Sequence, residues 1–87
     1  MKMIILILKD QLTETMTSRL TGAKYRVTRI ASTGGFLRSG IATLLIGVED
    51  VQVDPAIALI HDVVTAEAAE EPQATLFVVP VSRFEQV

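Results

Sequence analysis

The hydrophobic positions of this chain fall into two rhythms. From Met3 to Leu8 the run is unbroken and stops at Lys9-Asp10, so residues 2–8 predict a buried strand rather than a helix, which would need greater length. Leu12, Met16, Leu20 and Ala23 then recur at helical spacing, with Asp10 placed to accept from first-turn N–H groups and Gly22 to end the helix in a left-handed turn. "KYRVTRIA" and "TLLIGVE" predict two further strands on either side of a glycine-rich loop. Asp54-Pro55 marks a helix start, and Ile57, Ile60 and Val64 give that helix one apolar face. "TAEAAEEP" breaks the pattern before a last strand, "ATLFVVPV", and a short polar tail. The order β-α-β-β-α-β predicts an α+β, ferredoxin-like βαββαβ fold. It would have a four-stranded antiparallel sheet with two helices on one face, in a single domain spanning 1–87.

A half-buried antiparallel strand alternates apolar and polar residues. These strands do not. Ile4, Leu6 and Leu8 oppose Met3, Ile5 and Ile7, all apolar. Leu44, Ile46 and Val48 oppose Thr43 and Leu45, while Leu76 and Val78 oppose Phe77 and Val79. Two helices cover one face, so the other needs a cover of its own, and self-association supplies it most economically.

Composition narrows the function classes. A net charge of −2 argues against non-specific capture of nucleic acid or an acidic membrane surface. With no cysteine, thiolate nucleophiles, disulfides and cysteinyl metal sites are excluded, which suits a cytoplasmic protein. The opening "MIILIL" is too short to span a bilayer and is not followed by a small-residue cleavage site. The single histidine, His61, has no second histidine beside it and reads as a partly buried helix residue. Glu49-Asp50 reads as a strand exit, and Glu67, Glu70 and Glu71 as a solvated acidic loop. No metal, cofactor or catalytic group is expected.

The chemistry concentrates in "STGGFLRSG", Ser32 to Gly40. Gly34-Gly35 lets backbone N–H groups converge on an anion, yet neither GxxxxGK[ST] nor GxGxxG is present. Two readings stand side by side: a ligand-contacting loop, or a tight turn between strands. Phe36 can stack on a flat ring or plug the core, and Arg38 can pair with phosphate or sit in solvent.

"MKMII", "YRVTRIASTGGFLRSG", "TLLIGVED" and "ATLFVVPV" together resemble the PII-like cyclic di-AMP receptor family along almost the whole chain. The resemblance implies a bacterial, non-enzymatic signal receptor, assembled as a homotrimer, that binds cyclic di-AMP or a related adenine nucleotide between subunits. It would relay the ligand's level to an unknown downstream protein, without nucleic acid polymers or membrane insertion. Carried over position by position, the ligand-binding residues are Arg26 and Thr28, then Gly35, Phe36 and Leu37, then Gly47, Phe77 and Gln86. Two features depart from the family. Ile41-Ala42-Thr43 stands where Asn-Thr-Thr is usual, and the segment 65–73 is short. A structural or protein-binding trimer that has lost the nucleotide is the alternative.

Overall fold

The computed structural model describes residues 1–30, 40–66 and 73–87. Strand β1 (Lys2–Lys9) runs into helix α1 (Asp10–Gly22) without a loop. Strands β2 (Arg26–Ile30) and β3 (Ile41–Val48) follow, then a one-turn 3₁₀ helix (Asp50–Gln52), helix α2 (Val53–Thr65) and strand β4 (Ala74–Pro80). The sheet order is β2-β3-β1-β4, with β1 antiparallel to both β3 and β4, and β2 antiparallel to β3. This is the expected βαββαβ ferredoxin-like sheet. Each helical crossover skips over one strand.

Alternation puts Ile4, Leu6 and Leu8 of β1 on one face with Ala42, Leu44, Ile46 and Val48 of β3, each at most 3% exposed. Both helices close on that face. Leu12, Met16 and Leu20 of α1 and Ala56, Ile60 and Val63 of α2 join the same cluster. The buried stripe of α2 is therefore centred on Ala56-Ile60-Val63, with the expected Ile57 and Val64 at its margins. Leu76 also packs against the core from β4, whereas Val78, expected on the same face, is 38% exposed and does not join it.

The helix ends differ from the expectation. Lys9, not Asp10, is the N-cap of α1, and no side chain caps it. The Asp10 N–H instead donates to the Gly40 carbonyl (2.7 Å), so the start of β3 satisfies a helix N–H that has no partner inside the helix. The Asp10 carboxylate accepts from Arg29 (2.9 Å). At the other end the left-handed residue is Lys24 (φ 72°), not Gly22. Helix α2 begins one residue before Asp54-Pro55, and Glu49 and Gln52 form a reciprocal capping box around the 3₁₀ turn that precedes it. An ion pair between Arg19 and Asp62 (2.8 Å) ties α1 to α2 on their exposed sides. His61 is exposed on α2, which corrects the partly buried placement expected for it.

Candidate functional site

The strand registers lay out in rows the face of the sheet that neither described helix covers. Arg26 pairs with Gly47, Gly47 with Met3, and Met3 with Val79. The adjacent row runs Thr28, Leu45, Ile5, Phe77, and the next Ile30, Thr43, Ile7, Thr75. The face is largely aliphatic; Arg26 and Thr28 stand at the β2 edge, with Thr43 and Thr75 in the row that follows on β3 and β4.

At that edge a cleft of about 550 Å³ opens where the first residues of β1, the start of β2 and the end of β3 meet the C-terminal tail. Arg26 and Thr28 line it from β2, two residues apart and so on one side of the strand. Gly47 forms part of its floor. The backbone at Gly47 does not have the positive φ that favours glycine, and a β-carbon there would meet only the Met1 Cε, at 3.9 Å. The fold therefore does not demand glycine at this position. Glycine inside a strand weakens it, and such a residue commonly marks a close approach by a ligand or another backbone.

The cleft is electropositive by inventory. Lys2, Lys24 and Arg26 border it, against one carboxylate, Glu49, which is engaged in the capping box. None of these three cations has a hydrogen-bond or ion-pair partner among the described residues. Apolar walls come from Leu45, Tyr25 and Phe84, the last 57% exposed although it borders a concavity. Gln86 adds an amide. An anion bearing flat, hydrogen-bonding rings matches this combination of donors and walls.

Of the residues expected at a site, the structure brings Arg26, Thr28, Gly47 and Gln86 into one cleft. Phe77 is not among its lining residues. It sits 53% exposed on the same face, three strands across from Thr28, or about 14 Å at ordinary strand spacing. Gly35, Phe36 and Leu37 lie outside the described residues. Sequence reading missed Lys24 and Phe84. The signal for Phe84 is slight, an aromatic two positions before Gln86 in an otherwise polar tail, and Lys24 announces itself only through its backbone conformation.

Two comparisons bear on this geometry. A solved protein of unknown function from Pediococcus pentosaceus shares 29% sequence identity, with a TM-score of 0.79 over 99% of this chain and 96% of that one. Neither chain leaves more than a small part outside the match, so the two chains are of similar length. The family model for the cyclic-di-AMP receptor matches residues 1–72, which includes β1 to α2 and the segment Ser32–Gly40. It stops before β4, so Phe77 and Gln86 fall outside the matched span. With most of its length matched, the chain belongs to the cyclic-di-AMP receptor family.

Proposed function

We propose that this protein is a signal receptor that holds cyclic di-AMP, or a closely related adenine nucleotide, in the cleft at the β2 edge. The observation that carries the reading is the cleft itself. It combines a vacated glycine floor, cations without partners among the described residues, and exposed aromatic and aliphatic walls. Two phosphates suit the cations and two purines suit the walls. Turnover has little to work with, since Glu49 is committed to a cap and His61 lies on α2, away from the cleft lining.

The site is completed between subunits of a homotrimer. The apolar rows supply a reason to associate, because Met3, Ile5, Ile7, Leu45 and Phe77 share a face that neither described helix covers. Geometry within one chain supplies another. β2 leaves the sheet at Ile30 and β3 enters at Ile41, at the end remote from Gly47, about 20 Å along the strand. Ile30 and Ile41, which flank the segment containing Gly35, Phe36 and Leu37, therefore lie away from the Arg26 end of the same chain. A neighbouring copy can bring the two ends together. The bound state is then read by a downstream protein in the cytoplasm.

Thermal melting with a panel of adenine nucleotides tests the reading. Stabilisation by cyclic di-AMP and not by ATP or ADP is the expected result. Stabilisation by ATP or ADP makes the protein a broader nucleotide sensor. Ile41, aliphatic where the family carries asparagine, favours the alternative of a trimer without nucleotide, and no shift with any member of the panel establishes that alternative.

A further inference from the structure

The turn from α1 into β2 breaks a local rule at the rim of the cleft. Tyr25 N–H donates to the Leu20 carbonyl (3.0 Å) and Lys24 N–H to the Thr21 carbonyl (2.9 Å), the paired bonds of a Schellman helix terminus. The residue between, Lys24, holds φ at 72°. Glycine usually fills that position because a β-carbon there crowds the following carbonyl. This chain has a glycine two residues earlier, at Gly22, where φ is not positive and an added β-carbon would meet nothing within 4 Å. Conformational freedom thus sits where it is not needed, and a long cationic side chain sits where the backbone resists it. Strained residues of this kind cluster at ligand clamps and functional sites, so the outlier directs attention to the Lys24 side chain.

Two further observations say what that work is. Lys24 borders the cleft together with Lys2 and Arg26, and like them it has no ion-pair partner among the described residues. The nearest structural role, closing the helix, is performed by backbone groups alone. We propose that Lys24 is a phosphate-binding residue of the nucleotide site, a second cation beside Arg26 that selects ligands with two phosphates over mononucleotides. This rests on the receptor reading above. The hydrogen-bonded turn fixes the lysine's backbone, so less ordering is required of it on binding.

The test sets stability against affinity. Lys24→Gly and Lys24→Asn both suit a left-handed backbone and remove the charge, while Lys24→Arg keeps the charge. Calorimetric titration with cyclic di-AMP and with AMP, at low and high salt, is run on the wild type and all three variants alongside ligand-free melts. Expected for the neutral variants are an unchanged or higher Tm, affinity for cyclic di-AMP lowered about 10-fold, little change for AMP, and a flatter salt dependence. Lys24→Arg should stay near wild type. Neutral variants that bind cyclic di-AMP as tightly as wild type, or that lose Tm along with affinity, overturn the assignment of Lys24 alone. A wild type that binds neither nucleotide overturns the receptor reading itself, and this inference with it.

Discussion

Leu44 and Leu45 are consecutive residues of one strand, of one type, with opposite surroundings. Leu44 is wholly buried beneath the helices, whereas Leu45 faces the uncovered side and lines the cleft. The same contrast runs through β1, where Ile4 and Leu6 are fully buried while Ile5 and Ile7 remain partly accessible. Both faces are written in aliphatic residues, so hydrophobicity does not separate them. What differs is what packs on each face: the helix side is closed by α1 and α2, whereas on the other side Ile5, Ile7 and Leu45 keep solvent access in the single chain.

Truncating each leucine is the sharpest way to break this comparison. Leu44→Ala should cost about 2–5 kcal/mol of unfolding free energy, the range for emptying a fully packed core position. Leu45→Ala should cost clearly less in the isolated subunit. Urea denaturation of both variants at low protein concentration checks the difference, and equal losses would mean the second face is part of an ordinary core. Assembly comes next. Phe77→Asp places a charge in the row Thr28-Leu45-Ile5-Phe77 and should convert a trimer to folded monomers, seen by light scattering with circular dichroism preserved. A wild-type monomer at micromolar concentration would remove the need for any cover.

Gly47→Val probes the cleft where it meets the uncovered face. The fold has room for a β-carbon at Gly47, so stability should change little or rise slightly, while nucleotide affinity falls at least about tenfold as the floor fills. Unchanged affinity would place the ligand elsewhere. The smallest effect is expected at Ile41. Ile41→Asn should tighten cyclic di-AMP binding by about 1 kcal/mol if it restores a hydrogen bond to the base, with no change in assembly. Calorimetry showing equal or weaker binding would mean this position does not meet the ligand.

The unbroken apolar run of β1, the β-branched stretches after it and the element order made the strands and the fold legible, and apolar residues at both parities showed two apolar faces. Helix ends were less legible. Gly22 looked like the terminator because glycine most often is one, but the hydrogen bonds to Leu20 and Thr21 put the left-handed residue at Lys24. Asp10 looked like a cap, yet β1 enters α1 so directly that the helix N–H is met by Gly40 across the sheet. Arg26, Thr28 and Gly47 were recoverable by resemblance and adjoin one another in the strand register. Phe84 was not, since a lone aromatic in a patternless tail becomes meaningful only once the tail is seen to border the start of β1.

The strand order also governs how the chain is made. β1 is made before the other three strands but lies in the interior of the finished sheet, with β3 on one side and β4 on the other. Ile4 waits for Ile46 and then for Val78, which stands almost at the far end of the chain. Until those partners emerge, the run Met3–Leu8 carries two open hydrogen-bonding edges and no charge, the profile of a segment that associates wrongly. Folding dominated by such distant pairings is slow relative to helical chains of similar size. Lys2 and Lys9 bracket the run at both ends, the placement by which flanking charges oppose wrong association of an apolar strand before its partners exist.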